Sequence, residues 1–527
     1  MAGRVYRTEL NPVDLLARAA FVYPQKTGLV HGDRRYSYAE LAERAWRLAN
    51  GLREVGLEKG DRVATLLPNS PAMLEAHFGV PAAGGVLVTV NTRLSETEIA
   101  YILEHSGARF LLLDTEFADL VDPSRLGGVR VFGVDDSGLP DDPYEQFLAA
   151  ALPERPVSWL EDEEETISLN YTSGTTGRPK GVRYTYRGAY LNALNEAIVA
   201  GLSPASVFLW LQPMFHCNGW CFGWGVTAVG GRHVTVRNID PALIWDLIDA
   251  EDVTNFNGAP TVQLMVINHR KAHRVERQLT VVVAAAPPSP TLFARMDELN
   301  FRVVHVYGLT ETYGPITMCP EQQEWGELPA HERAALLARQ GQAYPSADLV
   351  RVVDEGMNDV PRDGETMGEV VMRGNNVMAG YFDDPDATES AFRGGWFHSG
   401  DLAVWHPDGN VELRDRGKDI IISGGENISS IEVEQTIVAH PSVLECAVVA
   451  VPHSHWGERP KAFVTLSDGA SASAEEIIAF ARERLAHYKC PDAVEFGPLP
   501  KTSTGKVQKY VLREKEWVGH QSRVGAV

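Results

Sequence analysis

The residues from Tyr171 to Val182 have the types and spacing that could hold a phosphate group. The segment reads YTSGTTGRPKGV, and the alternating residues before it, Ile167 to Asn170, are typical of a short strand. Glycine lets a backbone approach an oxyanion closely, hydroxyl and N–H groups donate to it, and a lysine adds positive charge. The spacing G-x-x-G-x-x-K differs from the Walker pattern. A flexible surface connector is the alternative, but we favour a nucleotide site. Its candidate residues are Thr172, Ser173, Gly174, Thr175, Thr176, Gly177 and Lys180.

A second candidate loop, VYGLTET, directly follows the apolar residues Val303–Val306. The end of a strand in an α/β sheet is a common place for a ligand. Tyr307 offers a ring face to a purine, Thr310 offers a hydroxyl to phosphate, and Glu311 offers a carboxylate suited to Mg²⁺. An ordinary strand-to-helix turn capped by threonine is the alternative for this segment taken alone.

Two further polar segments lie closer to the C-terminus. In GWFHSGD, Asp401 could accept hydrogen bonds from both hydroxyls of a ribose, although turn aspartates are common. In PKTSTGKVQK, Lys506 lies on a glycine-containing loop, from which a small mobile domain could bring it to a reacting centre and withdraw it. We interpret Lys501 and Lys509 in the same segment as surface lysines.

The segment HCNGWC, from His216 to Cys221, has three interpretations. His216, Cys217 and Cys221 could bind a metal, but no second ligand pair with suitable spacing accompanies them. The aromatic residues around them could form ordinary core. They could also form the wall of a pocket for an apolar acyl group, and Trp220 is then the natural wall residue.

The elements that must position these residues follow from periodicity. Strand and helix patterns alternate to about residue 310, which predicts a largely parallel sheet with crossover helices. After about residue 345, short strands and turns dominate, and a charged run, DRGKD, interrupts them. We therefore predict an α/β fold with two domains, residues 1–414 and a small α+β domain of residues 415–527, with a hinge at Asp415–Lys418.

Length and composition limit the class of protein. A chain of 527 residues with 44% hydrophobic and 22% charged residues is typical of a soluble globular protein with more than one core. Its formal charge of −22 argues against nucleic acid and anionic membrane as main partners. Five scattered cysteines, no apolar signal segment and no membrane-spanning run predict a cytoplasmic enzyme.

Together these motifs resemble the signatures of the adenylate-forming, or AMP-binding, superfamily, in order from about residue 10 to residue 515. The HCNGW form is similar to the branch of short- and medium-chain acyl-activating enzymes and methylmercaptopropionyl-CoA ligases. The resemblance implies a large N-terminal α/β domain of several subdomains and a small mobile C-terminal α+β domain.

The resemblance also implies residue roles. Lys506 corresponds to the catalytic lysine that bridges carboxylate and α-phosphate, and His216 corresponds to a gate of the acyl pocket. The other implied assignments are ATP or AMP binding by Ala286, Pro287, Tyr307, Gly308, Asp401 and Arg416; the acyl pocket at His216, Trp220, Gly258 and Ala285; CoA binding by Gly424, Gly425 and Glu426; the hinge at Asp415 and Lys418; and Mg²⁺ binding by Glu311 and Thr175, with Thr310 beside the reacting groups.

The implied reaction is that of an ATP-dependent acyl-CoA synthetase. A carboxylic acid, expected to be a short- to medium-chain fatty acid, reacts with ATP and Mg²⁺ to give acyl-AMP and pyrophosphate, and CoA then takes the acyl group. Transfer to an amine or a carrier thiol is an alternative, as is a methylmercaptopropionyl-CoA or aryl-CoA ligase. A phosphotransferase and a nucleotide-binding regulator without turnover fit less well. A homodimer is a further expectation from the resemblance.

Overall fold

The computed structural model describes residues 7–172, 178–284, 290–424, 426–453, 455–467, 469–502 and 506–518. The helices of these residues are α1 (Val13–Val22), α2 (Tyr38–Glu54), α3 (Pro71–Ala83), α4 (Glu96–Ser106), α5 (Pro143–Ala150), α6 (Tyr186–Val199), α7 (Phe222–Ala228), α8 (Pro241–Ala250), α9 (Pro260–Ile267), α10 (Pro290–Glu298), α11 (Ala330–Leu337), α12 (Pro385–Ala391), α13 (Ser430–Val438), α14 (Ala474–Arg482) and α15 (Lys509–Trp517).

The strands of the first half are β1 (Thr27–His31), β2 (Arg34–Ser37), β3 (Arg62–Leu66), β4 (Val86–Thr89), β5 (Ala108–Asp114), β6 (Arg130–Val134), β7 (Thr166–Tyr171), β8 (Gly181–Thr185), β9 (Val207–Trp210), β10 (Arg232–Thr235), β11 (Asn255–Gly258) and β12 (Leu279–Val283). Those of the second half are β13 (Phe301–Leu309), β14 (Gly314–Met318), β15 (Gln342–Ala343), β16 (Arg351–Val353), β17 (Met367–Met372), β18 (Phe397–Trp405), β19 (Val411–Arg416), β20 (Ile421–Ser423), β21 (Glu426–Ile428), β22 (Val443–His453), β23 (Gly457–Leu466) and β24 (Ala493–Phe496).

Local signals position the helices as the sequence predicts. Ser473 caps α14 through a reciprocal capping box with Glu476, and Ser429 caps α13 by accepting from the backbone N–H of Glu432. Helix α3 begins at Pro71 after the cap Ser70, whose hydroxyl accepts from the N–H of Met73. Polar caps and N-terminal prolines therefore fix where these helices begin.

Two large sheets form the bulk of the chain. The first has the strand order β15-β14-β13-β12-β11-β9-β10-β1-β2, and the second has the order β6-β5-β3-β4-β7-β8. Most neighbouring strands in both are parallel, as predicted, whereas β2, β8 and β15 are antiparallel edge strands and β14, next to β15, is also antiparallel. In parallel neighbours the carboxyl ends share one edge, so β9, β11, β12 and β13 end together.

Helices α2 and α3 pack between the two sheets. Every residue of α3 is buried, and its apolar residues share one core with Phe208 of the first sheet and Leu87 of the second. A helix with no solvated face must lie inside a protein. Its one carboxylate, Glu75, pairs with Arg44 at 2.6 Å and accepts a hydrogen bond from Tyr144, so the buried charge is compensated.

The remainder of the chain forms two smaller sheets. Strands β16-β17-β18-β19 are one antiparallel sheet, and β21-β20-β23-β22 with β24 beside β23 are another. The last sheet packs on α13 and α14 around its own apolar core. A smaller α+β unit with a separate core thus follows the large α/β part, which is the fold class that the sequence predicts.

The predicted boundary at residue 415 falls inside a strand. Strand β19 continues to Arg416, and its partner across the hairpin is Asp401 in β18. The turn then leads to β20 at Ile421. Among the helices in the described part of the chain, none has the length and hydropathy needed to cross a membrane.

Candidate functional site

Tyr307, Asp401 and Arg416 form a polar cluster where β13 approaches the β18–β19 hairpin. The Tyr307 hydroxyl donates to Asp401 Oδ2 at 2.6 Å, and Arg416 Nε lies 3.3 Å from Asp401 Oδ1. Burial, followed by the charge of Asp401, raises the pKa of Tyr307 well above its usual value. A buried carboxylate is thereby held between a neutral donor and a cation, where it could accept from a pair of sugar hydroxyls.

Gly308 follows Tyr307 and is required by the close approach of two strands. A Cβ at this position would lie 2.0 Å from the carbonyl oxygen of Gly314 in β14, so any side chain would separate β13 from β14. The glycine in the YGLTET segment therefore has a packing role in the described structure, whatever it contributes to a ligand.

Glu311 lies on the short turn after β13 and is held by Tyr381. The Tyr381 hydroxyl donates to Glu311 Oε1 at 2.8 Å, and Lys180 Nζ lies 4.7 Å from the centre of the same ring. Burial is the main cause of the raised pKa of Glu311. Tyr381 thus contacts both residues. Its hydroxyl bonds the Glu311 carboxylate, which the sequence assigns to Mg²⁺, and its ring lies next to Lys180 of the glycine-rich loop.

Thr310 meets the HCNGWC segment. Its Oγ1 lies 3.4 Å from Cys217 Sγ, which in turn lies 3.7 Å from His216 Nε2. Burial lowers the pKa of His216 to about 4 and raises that of Cys217 to about 12. His216 is therefore neutral at physiological pH, and the Cys217 thiol is protonated and a poor nucleophile.

Lys506 enters this site from the small C-terminal unit. Burial, then the charge of Arg416, lowers the pKa of Lys506 to about 7, and Asp401 opposes that change. Lys506 in turn contributes to the lowered pKa of His216. The structure therefore brings Lys506 into electrostatic range of the Asp401–Arg416 pair on the β18–β19 hairpin and of His216 after β9.

The HCNGWC segment has an unusual backbone. Residues 217–221 all have positive φ, between 45° and 64°, in a left-handed turn between β9 and α7. For residues other than glycine this conformation costs about 1–2 kcal/mol each, and such strain concentrates at functional sites. The turn buries Trp220 against Gly314, where a Cβ would lie 2.6 Å from the indole Cδ1.

Gly258 ends β11 at the same edge of the sheet. A Cβ on Gly258 would lie 3.1 Å from Nε2 of Gln263 on α9. Gln263, Asn257 and Gln212 are all buried here. Gly258 therefore lies against the Gln263 amide and the side chain of Val262.

Thr172 and Lys180 close the base of the glycine-rich loop. The Thr172 N–H donates to the carbonyl of Lys180 at 3.0 Å, and the Lys180 N–H donates to Thr172 Oγ1 at 3.2 Å. The predicted residues that lie outside the described part of the chain are Ser173, Gly174, Thr175, Thr176 and Gly177 of this loop, Ala285, Ala286 and Pro287, and Gly425.

The predicted hinge residues lie in a network of charges. The buried Asp415 accepts from the backbone N–H of Ser430 at 2.6 Å, and burial lowers the pKa of Lys418 to about 8. Lys509 bonds Ser430 Oγ at 2.6 Å and pairs with Glu434 at 2.7 Å. The interpretation of Lys509 as a surface lysine is wrong, because these acidic partners, brought together only by tertiary packing, hold it in the small unit.

The predicted CoA loop lies where β20 and β21 pair antiparallel, with Ser423 opposite Glu426. Gly424 has a φ of +62°, and a Cβ there would lie 2.8 Å from the ring of Trp456. Glu426 is exposed. Among the described residues, no hydrogen bond or ion pair joins Gly424 or Glu426 to Asp401 or Lys506.

No group of three or more potential His, Cys, Asp or Glu metal ligands occurs among the described residues. His216, Cys217 and Cys221 therefore do not form such a cluster there. Tyr381 is the contributor that the sequence reasoning missed; its only signal was an aromatic residue in a turn before Pro385, far in sequence from Glu311.

These features are typical of an adenylate-forming enzyme. In that class, a polar nucleotide site on a large α/β unit lies next to a lysine of a small α+β unit. Comparison with protein families agrees. The model for AMP-binding enzymes matches residues 16–382, and that for the AMP-binding enzyme C-terminal domain matches residues 432–506. The chain belongs to the AMP-binding enzyme family, which confirms the predicted resemblance.

Individual relatives are similar over nearly the whole chain. An acetate–CoA ligase of Humulus lupulus is 44% identical, with 96% of this chain and 95% of the relative covered. A peroxisomal acetate/butyrate–CoA ligase of Arabidopsis thaliana is 43% identical with the same coverage. The crystal structure of ATP-bound MatB from Rhodopseudomonas palustris has a TM-score of 0.85 and 28% identity, covering 96% of this chain and 99% of MatB, so the predicted fold is also confirmed.

Proposed function

We propose that this protein is an AMP-forming acid–CoA ligase that activates a short-chain carboxylic acid. The ligase class agrees with the prediction and is confirmed by near full-length relatives named as acetate– and butyrate–CoA ligases. The observation that carries the proposal is the position of Lys506, which reaches from the small unit to Asp401, Arg416 and His216.

In the first half-reaction a carboxylate oxygen attacks the α-phosphorus of ATP, and the bond to the pyrophosphate oxygen breaks. Asp401 accepts the ribose hydroxyls, and Tyr307 offers its ring to the adenine. Lys506, as an ammonium, stabilises the negative charge that builds between the carboxylate and the α-phosphate. Positioning and electrostatics supply the catalysis, so no side-chain nucleophile is required.

His216 lies next to Thr310 in this arrangement. Its low pKa keeps it neutral, so it neither repels Lys506 nor neutralises the incoming carboxylate, and it can border the acyl group as a polar but uncharged wall. The Cys217 thiol beside it stays protonated and takes no part in acyl transfer.

Mg²⁺ fits the donors present. The Glu311 carboxylate is fixed by Tyr381 and has a second oxygen beyond the one that this hydroxyl occupies. Oxygen ligands shared with phosphate are what Mg²⁺ prefers. Glu311 and Thr175 would hold the ion, which would neutralise phosphate charge and stabilise pyrophosphate as the leaving group.

In the second half-reaction the CoA thiol attacks the acyl carbon, the bond from that carbon to the phosphate oxygen breaks, and AMP leaves. In the structure Lys506 interacts electrostatically with Asp401 and His216, and a lysine kept there would hinder the second step. We infer that the small unit, residues 415–527, rotates about Asp415–Lys418 between the two steps. Such a rotation would break the bond from Ser430 to Asp415.

The experiment is an incubation with Mg-ATP and carboxylic acids from acetate to palmitate, with methylmercaptopropionate and benzoate included. AMP is measured with and without CoA. CoA-dependent AMP formation with short acids is expected. If the acid supports formation of acyl-AMP and pyrophosphate but CoA has no effect, the acyl acceptor is an amine or a carrier thiol rather than CoA. ADP as the product would exclude the ligase.

We also keep two expectations as predictions. A homodimer would be tested by the molar mass in solution from light scattering. A cytoplasmic location would be tested by fractionating cells that express the full chain and following the CoA-ligase activity.

A further inference from the structure

Three carboxamide side chains are buried at the edge of the sheet where the site lies. Gln212 is 4% exposed, and Asn257 and Gln263 are 0% exposed. Gln212 comes two residues after β9, Asn257 is the third of the four residues of β11, and Gln263 lies on α9 directly after that strand. Their positions in the fold place all three amides beside Gly258.

The hydrogen bonds of these amides are incomplete. Asn257 Nδ2 donates to Gln212 Oε1 at 2.9 Å, and Gln212 Nε2 donates to the carbonyl of His216 at 3.4 Å. Asn257 Oδ1 and both polar atoms of the Gln263 amide have no hydrogen-bond partner in the described structure. Buried polar atoms almost always have a hydrogen-bond partner. Here one donor group and two acceptor oxygens are free to bond a ligand.

The unpartnered atoms are held rigidly and close to the site. Asn69 fixes the β9 loop, because its Nδ2 donates to the carbonyl of Gln212 at 2.9 Å and its Oδ1 accepts from the N–H of Met214 at 2.7 Å. The bond from Gln212 to the His216 carbonyl links the amides to a residue whose pKa is lowered in part by Lys506. Gly258 has no side chain to fill the space against Gln263 Nε2.

We propose that these amides recognise the far end of the acyl group, and that the preferred substrate is a short carboxylic acid with a terminal hydroxyl. This inference rests on the proposed function. A hydroxyl can accept from Gln263 Nε2 and donate to Asn257 Oδ1 or Gln263 Oε1, which matches one free donor and two free acceptors. The amides carry no charge, so they offer no counter-ion to a second carboxylate.

An alkyl chain of the same length would leave the amides unpaired. A site built to hydrogen-bond a substrate hydroxyl discriminates strongly against the analogue that lacks it, because its buried polar groups then lose their partner. The aromatic wall at Trp220 would therefore limit the length of the acid. The amides would select for a hydroxyl group at its far end.

The test compares ω-hydroxy acids with alkyl acids of equal heavy-atom count: 3-hydroxypropionate with butyrate, 4-hydroxybutyrate with pentanoate, and 5-hydroxypentanoate with hexanoate. CoA-dependent AMP formation gives kcat/KM for each. For the best-fitting pair we expect the hydroxy acid to be preferred by about tenfold or more. Preference for the alkyl acid in every pair would overturn the inference and leave the ligase assignment intact.

The variant Gln263→Met keeps the volume and removes the amide. It should reverse the preference within the best pair by raising kcat/KM for the alkyl acid relative to the hydroxy acid. The control is Met265→Gln, since Met265 lies on the same helix and is 47% exposed; it should leave the ratio unchanged.

The possible outcomes separate the two proposals. If the amides hold only water, the wild-type ratio will be near one and Gln263→Met will not move it, which refutes the inference. If no acid supports CoA-dependent AMP formation, the proposed function itself fails. Because the wild-type ratio needs no variant, a Gln263→Met protein that fails to fold leaves the test decisive.

Discussion

Two regions of this site, a proposed nucleotide edge at Tyr307, Glu311 and Asp401 and a proposed acyl edge at Asn257 and Gln263, differ in how their polar groups are paired. On the nucleotide edge, Asp401 is bonded by Tyr307 and paired with Arg416, and Glu311 is bonded by Tyr381. On the acyl edge, Asn257 and Gln263 retain free donors and acceptors. With the proposed roles, this difference means that the nucleotide edge is preorganised before substrate binds, whereas the acyl edge would be completed by its substrate.

The largest effect should come from removing the Lys506 ammonium group, which interacts electrostatically with both Asp401 and His216. Lys506→Ala should lower adenylation by at least about 10²-fold, the amount expected for one donor to a developing oxyanion. Thioester formation from supplied acyl-AMP should be preserved, since the role proposed for the lysine belongs to the first step. Pyrophosphate release and acyl-CoA formation measure the two steps.

The matched control for Lys506 is Lys501→Ala, because Lys501 is exposed on the same segment and pairs with Glu445. It should leave both half-reactions near wild-type rates. An equal loss in both half-reactions of Lys506→Ala would contradict its assignment to adenylation alone.

The preorganisation of Glu311 can be broken without removing its charge. Tyr381→Phe deletes the hydroxyl that donates to Glu311 Oε1, and a bond to a charged group of this kind is worth about tenfold in adenylation. The Mg²⁺ concentration at half-maximal rate should also rise, which a general loss of stability would not cause. Tyr488→Phe is the control, as that tyrosine is 41% exposed in the small unit.

The protonation of Lys506 gives a pH dependence with a definite sign. Its pKa is lowered to about 7, so the fraction carrying positive charge falls as pH rises through that value. For adenylation, kcat/KM of ATP should fall about fivefold between pH 7 and pH 8, since this parameter reports the free enzyme. In Lys506→Arg the side chain stays charged, so the fall of kcat/KM between pH 7 and pH 8 should disappear. If the fall is unchanged in that variant, a group other than Lys506 causes it.

The smallest expected effect concerns the length of the acyl site. Trp220→Ala should shift the preferred alkyl acid to a longer chain, because the indole fills space at the turn between β9 and α7. Removing a buried tryptophan also costs about 3–5 kcal/mol of stability, so the thermal midpoint should be followed in parallel. A lower midpoint with no change in the preferred length would make Trp220 a core residue rather than a pocket wall.

Much of the fold could be predicted because its signals are local. Caps such as Ser473 with Glu476 and the alternation of strand and helix patterns each act over a few residues, and they gave the helices and the largely parallel sheets. The antiparallel edge strands were not predicted. Strand direction at an edge depends on which strands become neighbours, and that choice involves residues far apart in the chain.

The candidate site divides in the same way. The motifs named Tyr307, Asp401, Arg416 and Lys506, and the structure brings these four near one another, although their catalytic roles stay predictions. The roles of Tyr381 and Lys509 were missed. Tyr381 lies 70 residues from Glu311, and Lys509 lies 75 residues from Glu434, so no local pattern reveals either pair.

The sequence by itself determined the family, the order of the helices and strands, and the residues able to hold a nucleotide, since these depend on residue type and short spacing. Only the tertiary structure decided which polar groups are already paired and which are not. Pairing depends on contacts between distant segments, and burial then sets its consequences: a neutral His216, a Lys506 that titrates near neutrality, and amide groups at Gln263 and Asn257 left for a substrate.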